Sequence, residues 1–345
     1  MRVKGGHRPP LQPPVGVIAL DANGADGGPG MVAEGARLSG ERVTLFGPAA
    51  QLSGEHVVDA PVRISGDKDP VRAVRSQPDA SIAQAARAVA EGRADALVSA
   101  GSTGPTLAAA TLNVKRIRGV HRPALAARLP LPSGPALLLD AGANVEVRPE
   151  HLVQFAYLGS AFMQSVNGIA RPRVGLLSVG AEPGKGTPDV LAAGDRLRDS
   201  ALNFIGNVEG FDVTAGGADV VVTDGFTGNV ALKVMEGTSR TVREAIRDAV
   251  RAGGPLSMAG GLLIRGAVGR VQRQLDPEGS GAGAILLGLR KPVIVAHGSF
   301  GPQGIASAVA LARRAVDERM VERTRAALEA GGALRSAPVG SVADR

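Results

Sequence analysis

The octapeptide Gly180-Ala181-Glu182-Pro183-Gly184-Lys185-Gly186-Thr187 follows the apolar run Val174 to Val179. Glycines around a lysine behind a buried strand are the makings of an anion cradle. A nucleotide phosphate loop reads G-x-x-x-x-G-K-[ST], because successive backbone N–H groups wrap a phosphate chain and the last hydroxyl meets Mg2+. Here Gly180 stands one residue too near Gly184-Lys185, and Gly186 replaces the hydroxyl. That excludes a nucleotide, but Lys185 with the Gly184, Gly186 and Thr187 backbone can still hold a single phosphate.

Six further glycine-rich stretches carry polar side chains: DANGAD with Asp21, Asn23 and Asp26; SAGSTG with Ser102, Thr103 and Gly104; DAGAN with Asn144; GNVEG with Asn207 and Glu209; TDGFTGN with Asp224, Gly225 and Asn229; and HGS with His297. Lys233 follows four residues after Asn229. The amides of Asn144, Asn207 and Asn229 are candidate donors to a carbonyl oxygen, since an amide donates without adding charge; each could equally be a turn residue. His297 ends a predicted strand, so it either orients phosphate, protonates a thiolate, or is satisfied by backbone. Asp21, Asp26 and Asp224 lack metal-ligand spacing and read better as helix caps, so no metal is expected. No stretch has the G-x-G-x-x-G dinucleotide spacing, and no cofactor is expected. With no cysteine, thiolate metal sites and a cysteine acyl-enzyme are excluded.

Short β-branched runs must position these loops: VGVIAL from Val15, VTLF from Val43, ALVSA from Ala96, ALLLD from Ala136, VGLLSV from Val174, VVVTD from Val220 and VIVAH from Val293. Helical patterns lie between them, over Ser81 to Glu91, from Pro149 through Val166, Val230 to Arg251, and Gly304 to Ala330. The alternation predicts an α/β fold, three layers with a mostly parallel sheet between helices. In such a sheet the strand ends, and with them all seven loops, share one edge. Residues 1–14 and 331–345 read as disordered extensions around one domain over 15–330.

The net charge of +7 and pI near 10.4 favour an anionic partner. Seven Phe, one Tyr and no Trp leave almost no stacking platform, which weakens nucleic acid as that partner. Arg240, Arg243, Arg247 and Arg251 recur at helical spacing and form one stripe, either solvated beside Glu244 and Asp248 or docking an acidic carrier protein. Residues 255–275 mix apolar and basic faces, which suits an interfacial helix on anionic membrane and a dimer contact alike. With no apolar signal core or membrane-length apolar run, the expected location is cytoplasmic, with the inner face of the cell membrane as a peripheral option.

ALDANGAD, ADALVSAGSTG, DAGANVEVRPEHLVQFAYLGSAF, RVGLLSVGAEPGKG, NFIGNVEG, ADVVVTDGFTGNVALKVMEG and PVIVAHGS resemble, in order and spacing, the bacterial phosphate acyltransferases, the PlsX family. The resemblance implies transfer of a fatty acyl group from acyl carrier protein to inorganic phosphate, giving acyl phosphate for phospholipid synthesis. It also implies a fold similar to isocitrate and isopropylmalate dehydrogenases and a homodimer loosely associated with membrane. The chain departs from the family pattern at Asn23-Gly24-Ala25, at Ser102, at Phe300, and in lacking a tyrosine near Leu275 to Leu289. A phosphotransacetylase-like enzyme on short acyl-CoA and a non-catalytic acyl- or phosphate-binding regulator are the alternative readings.

Overall fold

Alternating side chains place a strand between two layers, and the first strand shows it: Ile18 and Leu20 belong to one core cluster, Ala19 to the other. The structure, a computed structural model, describes residues 16–54, 56–65, 69–274 and 283–335. The seven expected strands are present: β1 (Ile18–Asp21), β2 (Val43–Gly47), β4 (Ala96–Ser99), β6 (Gly134–Leu139), β7 (Arg173–Leu177), β9 (Val220–Val222) and β11 (Val293–Val295). Four others join them: β3 (Val57–Asp59), β5 (Ala124–Leu131), β8 (Asn203–Val208) and β10 (Ala284–Leu287). Together they form one sheet in the order β3-β2-β1-β4-β11-β10-β5-β6-β9-β7-β8.

Helices cover both faces. α1 (Gly28–Ser39), α5 (Pro149–Ser165), α6 (Pro188–Arg198), α10 (Pro302–Asp317) and α11 (Met320–Ala330) contribute to the larger core cluster. α2 (Pro70–Ser76), α3 (Ser81–Ala90) and α4 (Thr103–Ala109) pack on the other face. A short α7 (Gly210–Ala215) precedes the long pair α8 (Gly225–Ala252) and α9 (Gly254–Gln274). The helix expected over Gly304 to Ala330 is two helices, because Arg319 adopts the left-handed region at φ 49 and ends the first. Beyond α11 the chain turns back: the Ala333 carbonyl accepts from Gln154 and the Arg335 N–H donates to Gly119. Ordered contacts therefore run five residues past the boundary expected at Ala330.

The expectation of one shared edge is corrected by strand direction. β1, β2, β3, β4 and β11 run parallel to one another, as do β6, β9, β7 and β8. Between the two groups stand three antiparallel pairings, β11 with β10, β10 with β5, and β5 with β6. An odd number of reversals sends the second group the opposite way, so the loops leave the sheet as two sets. Sheet twist of roughly 20–25° per strand turns β6 by roughly 100–125° relative to β1 over the five pairings between them. The sets stay joined by packing: Leu107 of α4, after the first set, and Ala143 and Leu232 of the second pack on the same core.

Candidate active site

The first set contains Asp21, Asn23, Asp26, Ser102, Thr103, Gly104 and His297, and it is largely closed on itself. Asp21 is buried, accepts from the Ser99 hydroxyl at 2.8 Å, and lies beside Thr106, whose hydroxyl reaches Ser99 at 3.0 Å. Burial pushes the Asp21 carboxyl above its ordinary range, and the Ser81 and Ser99 hydroxyls pull it partly back. Asn23 gives both amide hydrogens to backbone, to Pro61 at 2.9 Å and Ala60 at 3.4 Å. Asp21, Asn23, Gly24, Gly101, Ser102 and Thr106 line a cavity of about 10 Å3, room for one water rather than a substrate. Thr103 and Gly104 open α4, with Gly104 against Pro70. The Asp26 N–H donates to Gly298 O at 2.9 Å, and His297 Nδ1 meets the Ser299 hydroxyl at 2.7 Å, while Nε2 of this exposed ring has no partner among the described residues.

In the second set, Asp140 organises the loop after β6. Its buried carboxylate accepts from the N–H groups of Leu125, Gly142 and Ala143 on Oδ1, and from the Asn144 backbone and amide, each at 2.7 Å, on Oδ2. Burial pushes this carboxyl up, and the N–H donors hold it down. The other Asn144 amide hydrogen goes to Pro123 O at 2.8 Å. Asn144 is buried and has no hydrogen left for a substrate carbonyl, so its expected role as donor is corrected: it braces the loop.

That loop packs on the start of α8, which explains the glycines of DGFTGN. A Cβ at Gly225 would fall 2.7 Å from the Asn144 carbonyl oxygen, and one at Gly228 would overlap the Asp140 carbonyl oxygen. Asp224 caps α8, accepting from Thr227 N at 2.8 Å and Thr227 Oγ1 at 2.7 Å. Lys233 is engaged in a surface ion pair with Glu236 at 2.8 Å. Asn229, one turn into α8, is exposed, and its side chain makes no hydrogen bond among the described residues. Its side chain lies by Gly142.

The lysine loop follows β7, the neighbour of β9. Thr187 caps α6, accepting from Val190 N, and Gly186 takes φ +127, a conformation open to glycine. GNVEG, expected as a loop, begins as the end of strand β8, and Asn207 on that strand and Glu209 just after it brace the lysine loop. The Asn207 amide donates to Glu182 O and Lys185 O, each at 2.9 Å, so Asn207 too has no hydrogen for substrate. Glu209 accepts from Ala181 N at 3.2 Å and caps α7. Lys185 is exposed and its ammonium meets no carboxylate among the described residues. Next to Gly186 lies the Ser178 hydroxyl, buried without a partner. Sequence reasoning passed over Ser178 and Asp140, although both stand inside the quoted motifs.

The second set thus offers a free ammonium, a free amide and an orphaned hydroxyl on neighbouring loops, with the N-termini of α6 and α8 at the same sheet edge. Such groups suit an anion and a developing oxyanion.

The family model described as "Fatty acid synthesis protein" matches residues 17–323. The chain is 46% identical over 272 residues to the phosphate acyltransferase of Elusimicrobium minutum, covering 79% of each chain. It is 42% identical over 340 residues to that of Thermobifida fusca, covering 92% of each. Among solved structures it is similar in fold to a phosphotransacetylase from Streptococcus pyogenes, with TM-score 0.55 and 18% identity over 88% of this chain and 94% of the other. A 4-hydroxythreonine-4-phosphate dehydrogenase from Klebsiella pneumoniae gives TM-score 0.52 at 14% identity, over 87% of this chain and 98% of the other. The chain belongs to the phosphate acyltransferase family.

Proposed function

We propose that this phosphate acyltransferase takes a fatty acyl group from the thioester of an acyl carrier protein and passes it to inorganic phosphate held at the Lys185 loop. The observation that carries the site assignment is the unpaired state of Lys185 in a loop whose other polar groups are spent on bracing it. A phosphate oxygen attacks the thioester carbonyl carbon, a C–O bond forms, and negative charge gathers on the carbonyl oxygen. The Asn229 amide donates to that oxygen. The C–S bond then breaks, acyl phosphate leaves, and the thiolate takes a proton from solvent. Inorganic phosphate is already anionic near neutrality and a thiol is a good leaving group (pKa about 8.5), so positioning and charge stabilisation suffice.

The α8–α9 pair extends the reading to partners. Val242 and Ile246 are 51% and 58% exposed on α8, and Leu262 and Leu263 are 68% and 87% exposed on α9. Arg240, Arg243, Arg247 and Arg251 form a stripe on α8 that flanks Val242 and Ile246, all exposed, with Arg251 near Asp248 at 4.0 Å. Apolar and basic faces together suit a second copy of the chain and a peripheral contact with anionic lipid, at the cytoplasmic face of the membrane. No helix among the described residues is long and apolar enough to cross a membrane.

The test is incubation with long-chain acyl carrier protein and phosphate, with acyl phosphate trapped by hydroxylamine. Hydroxamate is expected to form in proportion to added phosphate. Reaction with short acyl-CoA alone would move the assignment to a phosphotransacetylase-like activity, and no reaction with a folded sample would favour a binding protein.

A further inference from the structure

A second basic surface lies nearer the site than the α8 stripe. Arg116, Arg118, Arg122, Arg148, Arg290 and Arg335 are all exposed, and none meets a carboxylate within ion-pair distance among the described residues. Hydrogen bonds among their segments gather them into one patch. Arg290 Nε donates to Arg116 O at 3.0 Å, the Arg116 guanidinium donates to His121 O, and the Arg335 N–H donates to Gly119 O at 3.0 Å. The His121 and His151 rings sit 5.5 Å apart, and His151 Nδ1 accepts from Arg148 N at 3.1 Å. Glu146 and Glu150 are the nearby acids, too few to neutralise six guanidinium groups.

The patch borders the candidate site directly. Arg122 precedes Pro123, whose carbonyl holds the Asn144 amide, and Arg148 stands four residues after Asn144. On α8, by contrast, Arg243 and Arg251 lie 14 and 22 residues beyond Asn229, or about 21 and 33 Å along the axis at ~1.5 Å per residue. We infer that the acidic face of the acyl carrier protein docks on the Arg116–Arg122, Arg148 and Arg335 surface, which sets its acyl thioester at the loop braced by Asp140 and Asn144. This rests on the proposed carrier-protein donor. Anionic lipid is the poorer occupant, because the patch lacks the cluster of exposed large apolar side chains that α8 and α9 carry. Nucleic acid lacks a stacking platform here, since Phe155 behind the histidines is buried.

The experiment compares R122E/R148E, R243E/R247E and the parent with long-chain acyl carrier protein and phosphate, with vesicle co-sedimentation on phosphatidylglycerol and thermal melts as companions. R122E/R148E is expected to raise the KM for acyl carrier protein about tenfold or more, with kcat at saturation and melting temperature close to the parent. Rising salt should narrow the gap between parent and variant, as exposed charges are screened beyond about 8 Å at physiological ionic strength. Equal KM values for parent and R122E/R148E overturn the docking site. A larger KM effect of R243E/R247E, or loss of vesicle binding by R122E/R148E with KM unchanged, overturns it in favour of the α8 stripe or a membrane surface. A parent inactive with acyl carrier protein but active with acyl-CoA sinks the donor reading itself, a separate result. If R122E/R148E melts well below the parent, R122Q/R148Q replaces it and must show the same KM rise in smaller measure.

Discussion

The two loop sets differ in what they leave unpaired. After β1, β4 and β11, the side chains satisfy one another around Asp21 and Ser99 and enclose a cavity of about 10 Å3. After β6, β7 and β9, Asp140, Asn144, Asn207 and Asp224 spend their hydrogen bonds within the protein, and Lys185, Asn229 and Ser178 are left over. Buried polar groups are normally paired, so the orphaned Ser178 hydroxyl beside Gly186 is the unusual group here, while Lys185 and Asn229 are exposed and open to a ligand. Of two residues of one type on adjoining motifs, Asn144 and Asn229, only the second can turn its amide to substrate.

The largest expected effect breaks the second set without touching the fold. Lys185→Met keeps most of the stem and removes the charge, and a single charge-stabilising group is commonly worth about 3 kcal/mol. kcat/KM for phosphate is expected to fall on the order of 100-fold with the thermal midpoint unchanged. Asn229→Ala should lower kcat on a similar scale. Steady-state kinetics with phosphate varied, beside a melting curve, separates the two: a parent-like Lys185→Met enzyme would place the phosphate on another loop.

Asn144→Ala sharpens the contrast by inverting it. The buried Pro123 carbonyl and the Asp140 carboxylate each lose a donor, which costs about 2 kcal/mol, or roughly 3 °C for a chain of this size. Activity should follow stability and recover below the new midpoint. Persistent loss of kcat in a fully folded Asn144→Ala sample would restore this residue to the chemistry.

Asn207→Ala removes two bonds from an exposed loop rather than a buried one, about 1 kcal/mol in all. A several-fold higher KM for phosphate with little change in melting is the expected result. A KM equal to the parent's would show that the lysine loop holds its shape without β8.

Much of this division was legible in the residues and some was hidden for physical reasons. The seven expected strands announce themselves as short apolar runs. β8 did not, because Asn203, Gly206 and Asn207 read as turn formers, and β5 carries Arg128 and Pro130. β10 lies in the stretch from Leu275 to Leu289, part of which falls outside the described residues. Those missed strands matter: β5 and β10 contain the reversals that split one expected edge into two sets. Strand direction depends on the partner, which no local run encodes. The break at Arg319 was equally silent, since Asp317-Glu318-Arg319 holds no glycine or proline. The asparagines were legible as polar and not as free or spent, because that distinction lies in contacts such as Asn144 with Pro123, 21 residues apart.

The smallest effect concerns the histidines beside the second set. Burial lowers the pKa of both His121 and His151 below the ordinary value of 6.5; Arg116, Arg148 and Arg335 around His121, and His121, Arg122 and Arg148 around His151, act in the same direction against Glu150. The folded protein therefore keeps these rings neutral where the unfolded chain begins to bind protons. Stability from this source is fully present above about pH 6.5 and is lost as pH falls below it toward the folded values. Asp21 and Asp140, pushed up by burial, carry the opposite sign, so the measurement must isolate the histidines. Melting temperatures at pH 7.5 and 5.5 for the parent and for H121N/H151N do so. The parent should lose more on acidification than the double variant, by a few degrees at most. An equal loss in both proteins would mean that other groups, such as Asp219 held down by Arg173, govern acid stability, and that the rings are as free to charge in the fold as outside it.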